Sequence, residues 1–582
     1  MKKLAIVLCL ALGLTGCRSG ASLQNGRIKV QASSEGLEIY YGNQKVQEVA
    51  LEGGSLNGAQ PLPAVHERYR MSSGKRLECR GDAKTRLYHY ADFDLEVRAY
   101  RDGVAFRSCN FRGNPSTSFI VREGTKRWMQ RLKGAGDYEG FFPLRTTAQE
   151  GKVAYPALVE YADGIFGLIT EAGIGEEHCA SWLEEHPGSD RLRLVCADPE
   201  PTFMTSPWRV VHIGTLADIV ESTLVTDVSA PCALQDTSWI RPGVSAWIYW
   251  AHNHGSKDYQ LIREYIDLAA EMHWPYSLID WEWDEMANGG NMRDAVAYAR
   301  SKGVKVNLWY NSGTSWIGPG SPGPIDRLLT PEAREREMAM LEELGVTGIK
   351  VDFFRDDSRE MMQYYHDILK DAARHHVMVD FHGCTVPRGW QRTYPNLMTM
   401  EAVYGAEWYN NTPRMTEAAP AHNATLPFTR NVIGPMDYTP CAFTDSQHPH
   451  ITTDGHELAL PVLFESGLQH MADRPSSFLS LPREVKELLT GLPTAWDDTR
   501  LISGHPGEYV VLARRKGTRW YIAGINGTRQ SLSMSTILPF RHKSFRLFTD
   551  TPQGKGFKVS QGNRLPESIT CLPMGGFVAV VE

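Results

Sequence analysis

Ten cysteines in 582 residues form no CxxC pair, which argues against a structural zinc site. HExxH and GxSxG are also missing, and with them the signatures of zinc peptidases and of serine hydrolases built on a nucleophile elbow. No glycine-rich phosphate loop of the GxGxxG or GxxxxGKS/T kind directly follows a strand-like run, so nucleotide chemistry has no seat. Charge of one sign is scarce: 61 lysines and arginines against 68 aspartates and glutamates leave a net −7. No basic run offers a nucleic-acid footprint.

What is present suits a soluble globular protein able to bury large cores, with 42% hydrophobic and 22% charged residues. The length corresponds to roughly two to four domains. Aromatics are plentiful, with 15 Trp and 23 Tyr. Such rings line carbohydrate clefts, but they also fill ordinary α/β cores, so they decide nothing alone. The N-terminus reads "MKKLAIVLCLALGLTGC": a basic start, a short apolar run and small residues before Cys17. That is the build of a secretory signal, with a run too short to span a bilayer. Leu14-Thr15-Gly16-Cys17 resembles the bacterial lipobox, which implies lipidation at Cys17, membrane attachment through that lipid and an exported lipoprotein of the periplasm or outer membrane. Residues 1–17 are accordingly read as a signal peptide. Export permits disulfides, and among the eight remaining cysteines Cys179 and Cys196 are the one plausible local pair.

From residue 26 to about 235, short alternating segments such as "GLEIYY" (36–41) and "GIFGLITEA" (164–172) are broken by Gly, Asn and Asp. This pattern predicts an antiparallel β-sandwich. From 239 to 495 the texture changes. Apolar runs at 244–250, 276–283, 304–311, 348–354 and 377–383 alternate with helical stretches at 257–274, 291–303, 331–345 and 358–375. Residues 397–405, 431–439 and 467–473 extend the strand series to eight. Alternation on this scale predicts a (β/α)₈ barrel. Residues 496–582 return to short alternating strands, a small C-terminal β domain. The fold class is therefore multidomain: α/β flanked by all-β.

Chemistry in such a barrel sits at the C-terminal strand ends. Those ends carry Asp280, Glu282 and Asp284; Asn307 and Asn311; Asp352; Asp380 and His382; Glu401 and Glu407; and Asp437. Each has a bland explanation as a helix cap or an interior hydrogen bond, but their convergence on one rim is harder to dismiss. Paired carboxylates, one protonated and one ionised, are what glycosidic cleavage requires. A carboxylate-bound divalent cation is compatible with the same rim. Lys350 lies two residues before Asp352, on the same strand face, placed to bond sugar hydroxyls and to help keep Asp352 ionised. Asp280, Trp309 and His382 are further candidates for the substrate wall.

The domain order resembles glycoside hydrolase family 97. So do "FGLITEAGI" (166–174), "GIKVDFF" (348–354), "DFHG" (380–383), "MEAVYGAEW" (400–408) and "GPMDYTP" (434–440). The resemblance implies a choice between two branches. The inverting branch keeps a glutamate base after the histidine of the fifth strand, where this chain has Gly383. The retaining branch carries an aspartate nucleophile at the end of the fourth strand, matched by Asp352. The implied enzyme is a retaining α-galactosidase acting on oligosaccharides or glycans, with Asp352 as nucleophile and Glu407 as acid/base. The resemblance also implies Ca²⁺ held by Glu171, Glu401 and Glu407. The rival readings are a β-L-arabinopyranosidase, an α-glucosidase, and a catalytically silent glycan-binding lipoprotein. A monomer and a homodimer fit the sequence equally.

Overall fold

The computed structural model describes residues 22–111, 116–134, 136–199 and 204–582. Cys17 and the N-terminal run lie outside the described residues. Among those described, no helix is long and apolar enough to cross a membrane, and all eight cysteines are free. Cys179 and Cys196 are unbridged thiols.

The first region is a sandwich of an eight-stranded and a nine-stranded sheet. Its strands begin at Ser22–Asn25 and end at Trp208–Gly214. Strand Ile165–Ala172, central in the nine-stranded sheet, is buried along nearly its whole length. The last region, from Asp498 to Val581, is a six-stranded sheet plus a two-stranded ribbon around a separate apolar cluster.

Between them lie seven parallel strands: β1 (Gly243–Trp247), β2 (Tyr276–Ile279), β3 (Lys305–Asn311), β4 (Gly348–Asp352), β5 (Met378–Phe381), β6 (Leu397–Met400) and β7 (Leu468–Met471). Nearly every residue in them is buried, as strands enclosed on both faces should be. The intervening helices are capped as their sequences ask. Asp258 accepts from the N–H groups of Gln260 and Leu261, Asn291 and Asp294 form a capping box, and Ser358 caps Arg359–Arg374. Helix Pro331–Leu344 starts with proline in its first turn and stops at Gly345, where φ is 76°.

The expected strand over 431–439 does not form. Residues 436–440 instead run as an irregular segment that fills the gap between β6 and β7. Asp437 N donates to Met400 O at 3.0 Å, and Ala472 N donates to Pro440 O at 3.0 Å. The reason is local: Pro435 has no N–H to give a ladder, and Thr439 has φ of 56°. The fully buried Arg430 guanidinium supplies the missing donors, bonding the carbonyls of Met400, Glu401, Ala402, Gly434 and Pro435. Seven strands and one stapled segment thus close the barrel.

Candidate active site

The strands end earlier than their apolar runs suggest. Immediately after Asp352, His382 and Glu401, the chain turns left-handed at Phe353 (φ 68°), Gly383 (φ 45°) and Ala402 (φ 42°). Such backbone is costly for Phe and Ala and persists only where the surroundings enforce it. Here it turns the chain away just beyond each functional side chain. A cavity of about 510 Å³ opens at this end of the barrel, lined by Asp280, Lys350, Asp352, Gly383, Glu401 and Glu407 among others.

Asp352 is held at both carboxylate oxygens. Phe353 N donates to Oδ1 at 2.8 Å, and the Trp309 indole donates to Oδ2 at 3.1 Å. Burial pushes its pKa up to about 6, against the charges of Lys350 and His382. Lys350 Nζ lies 3.3 Å from Asp280 Oδ2, which also accepts from the Trp247 indole at 2.7 Å. Burial disfavours the Lys350 ammonium, but Asp280, Glu407, Asp352 and Asp380 outweigh it and raise its pKa well above the ordinary value.

Glu401 and Glu407 are driven apart. Burial penalises Glu401, yet His382 and the Gly383 N–H, 2.8 Å from Oε2, hold its carboxyl below the usual range. For Glu407, burial and the Glu401 charge outweigh the opposing charges of Lys350 and His382 and raise its pKa well above that range. Two neighbouring carboxyls are thus pushed in opposite directions, the arrangement that separates a proton-holding group from an ionised one. His382 sits beneath them, with Nδ1 at 3.3 Å from Glu401 and 3.9 Å from Glu407, and Nε2 at 2.7 Å from Asp437. Burial works against its charge, but Glu401 and Asp380 more than compensate, and its pKa rises well above the ordinary value.

Of the residues singled out in the sequence, Asp280, Trp309, Lys350, Asp352, His382, Glu401 and Glu407 come together here. Glu171 does not. Its oxygens accept from Arg209, Arg388, Ser181 N and Ser181 Oγ, in a fully buried contact between the sandwich and the barrel. A carboxylate so occupied has no lone pair free for an ion. The sandwich carboxylates that do reach the cavity are Asp137 and Glu139. They ride on a tongue, residues 136–142, that presses on the barrel rim. A Cβ on Gly136 would lie 2.5 Å from Phe354 O. Tyr138 Oη donates to Asp357, and the Trp408 indole donates to Glu139 Oε2 at 2.5 Å. Burial and the charges of Glu401 and Glu407 raise Glu139 well above its ordinary pKa. No periodicity marks this tongue in the sequence; its one signal is a pair of acids between glycines, "GDYEG" (136–140). Glu282 serves elsewhere, pairing with His254 and Lys257.

Asp137, Glu139, Glu401 and Glu407 line the same cavity, burial together with the Glu401 charge raises both Glu139 and Glu407, and these carboxylates form a donor set that fits a hard divalent cation. Glu401 Oε1, buried without a hydrogen-bond partner, points the same way. His382, Glu401 and Glu407 also place ligand atoms within 4.8 Å of one another.

Gly383 is sterically determined. A Cβ there would sit 2.8 Å from Asp352 Oδ1 and 2.8 Å from Phe353 N. Asp352 in this position and a side chain at 383 exclude each other. Gly383→Ala is expected to lower kcat/KM by about 10²-fold by displacing Asp352, with an unchanged far-ultraviolet circular dichroism spectrum. Full activity would show that Asp352 tolerates the shift.

Comparisons with known proteins agree with this architecture. The family description "Glycoside hydrolase 97" matches residues 243–403, its N-terminal counterpart matches 23–231, and its C-terminal, oligomerisation counterpart matches 495–582. A "Probable retaining alpha-galactosidase" of Streptomyces bingchenggensis is 34% identical over 97% of this chain and 92% of its own. A "Retaining alpha-galactosidase" of Bacteroides thetaiotaomicron is 28% identical over 75% of this chain and 73% of its own. Among solved structures, a beta-arabinopyranosidase superposes with a TM-score of 0.87 at 27% identity, covering 95% of this chain and 98% of that one. A family 97 enzyme of Pseudoalteromonas sp. strain K8 shares the fold, with a TM-score of 0.83 at 19% identity over 97% of this chain and 100% of that one. In sequence and in architecture, this chain belongs to glycoside hydrolase family 97, a family of glycosidases.

Proposed function

We propose that the protein is a retaining, exo-acting α-galactosidase that works by double displacement. The observation that carries this reading is the pairing of Asp352 with Gly383: a carboxylate occupies the floor where the other branch needs room for its base. The names of the two α-galactosidase relatives support the sugar assignment.

In the first step an Asp352 oxygen attacks the anomeric carbon as the bond to the leaving oxygen breaks. That oxygen keeps the electron pair and takes the Glu407 proton. A β-linked galactosyl ester on Asp352 results. Glu407, now ionised, removes a proton from water, which attacks the anomeric carbon and releases Asp352, so the α configuration is retained. Lys350 and Asp280 bond ring hydroxyls from the floor. The Trp309 indole fixes the attacking carboxylate, and the tongue closes one side of the cavity.

A Ca²⁺ ion held by Glu139 and Glu401, with Glu407 at its edge, is part of this proposal. Glu139 takes the place first expected of Glu171. When bound, the ion supplies positive charge that offsets the repulsion among these carboxylates and brings the Glu407 pKa down toward the working range. A panel of p-nitrophenyl glycosides with and without EDTA tests both parts. Cleavage of the α-galactoside is expected, with loss in chelator and recovery on adding Ca²⁺; Glu139→Gln is expected to raise the Ca²⁺ concentration needed for half-recovery. Cleavage of the β-L-arabinopyranoside alone would favour the second reading, which the solved arabinopyranosidase supports. That sugar is galactose without its hydroxymethyl group.

The lipobox-like Leu14–Cys17 supports a lipid anchor and an exported location. Cys17→Ser is expected to move the protein from the membrane fraction to the soluble fraction. An unchanged distribution would remove the anchor.

A further inference from the structure

The ends of β5 and β6, strand β7 and the irregular segment 436–440 meet at one carboxylate. Asp437 Oδ2 accepts from His382 Nε2, just past β5, and from His470 Nδ1 on β7, both at 2.7 Å. Its own N–H donates at 3.0 Å to the carbonyl of Met400, the residue before Glu401. Asp437 and His470 are buried and line no part of the cavity, so neither meets the sugar. Ionisable groups are costly in a barrel interior, which branched apolar side chains ordinarily fill. Any effect of Asp437 on the reaction passes through its neighbours, and the one beside the carboxyl pair is His382.

His382 has two carboxylates within reach of the same ring nitrogen. Nε2 lies 2.7 Å from Asp437 Oδ2 and 3.4 Å from Asp380 Oδ2. His470 Nδ1 stands between the same two groups, at 2.7 and 3.8 Å. With Nε2 committed to Asp437, the opposite edge of the ring faces the acids: Nδ1 is 3.3 Å from Glu401 and 3.9 Å from Glu407. The hydrogen bond at one ring nitrogen thus sets where the other points. A ring swung toward Asp380 would carry Nδ1 away from the pair. Asp437 itself is anchored. Its backbone is tied to Met400, and Arg430 bonds the carbonyls of Gly434 and Pro435 just before it. A ring held from behind in this way is already in place when the proton moves.

We propose that Asp437, braced by His470, is a positioning residue: it turns the His382 ring toward Glu401 and Glu407 and so keeps Glu407 where its proton can reach the leaving oxygen. The inference rests on the α-galactosidase reading. Two substrates, assayed with excess Ca²⁺, separate this role from a general loosening of the fold. Melibiose releases glucose, which needs the proton; α-galactosyl fluoride releases an anion that does not. Asp437→Leu keeps much of the volume but removes the acceptor. It is expected to lower kcat/KM for melibiose by about 10²-fold and that for the fluoride by less than about threefold. Asp437→Asn retains an accepting oxygen and should hold the melibiose loss within about tenfold. In a Glu407→Gln background, Asp437→Leu should add no further loss on melibiose, because the two residues act as one unit. Should Asp437→Leu fail to fold, His470→Gln takes its place. It is expected to shift the melibiose-to-fluoride ratio the same way by about tenfold, and an unchanged ratio would overturn the role. Equal losses on both substrates, or losses that add fully to those of Glu407→Gln, would also overturn it and leave the galactosidase intact. An unmodified enzyme that turns over neither compound would overturn the reading of the floor, and the positioning role with it.

Discussion

Replacing Asp352 with alanine is expected to slow turnover of any activated α-galactoside by about a thousandfold or more, because the covalent route loses its nucleophile. Azide added to Asp352→Ala should then restore turnover and give the β-galactosyl azide, since the anion enters through the face the carboxylate vacated. Rescue without that product, or with the α anomer, would place the nucleophile elsewhere. The environment of Asp352 adds a second readout in the unmodified enzyme. Burial raises its pKa to about 6, and only its ionised form attacks. Activity should therefore fall as pH drops through that value, tending toward tenfold per unit, on the kcat/KM profile of the free enzyme.

Glu407→Gln should show a split that no structural defect would produce. With a sugar leaving group, which needs a proton, the loss is expected to be about 10²–10⁴-fold. With fluoride or a dinitrophenolate, which leaves without one, the first step should be nearly normal, and the galactosyl enzyme should accumulate because water lacks its base. Pre-steady-state release of the dinitrophenolate as a burst measures this directly. The alkaline limb of the pH profile should also vanish: Glu407 is active while protonated, and activity is lost as pH rises through its elevated pKa. Equal losses on all leaving groups would remove Glu407 from the role of acid/base.

Much of the barrel is legible in the sequence because its parts are local. A strand buried on both faces must be apolar throughout, and a helix on its surface must carry caps and a stripe. The runs at 276–283 and 348–354 reveal β2 and β4 in this way, and Ser358 and Pro331 mark helix starts. The ends of the strands were harder to see. Phe353 and Ala402 are good strand residues, and nothing in their neighbours announces a left-handed turn. The same limit hid the irregular segment at 436–440, whose hydrogen bonds come from Arg430, buried beside it.

The site divides along the same line. Asp280, Lys350, Asp352, His382, Glu401 and Glu407 could be found because a parallel barrel gathers all its strand ends on one rim, whatever lies between them in the chain. Position along each strand was enough. Glu171 and Glu139 could not be separated that way, because they belong to another domain, and which one reaches the rim depends on how the sandwich docks. Residues 136–142 form no strand and carry no period, yet packing of Gly136 against Phe354 puts Glu139 in the cavity, while Arg209 and Arg388 take the oxygens of Glu171. The sequence by itself determined the three regions, the barrel and the acids on its rim, since each follows from short-range periodicity and strand polarity. Only the tertiary structure decided which carboxylate crosses from the sandwich and that Gly383 leaves no space beside Asp352, because contacts between distant segments leave no local pattern to read.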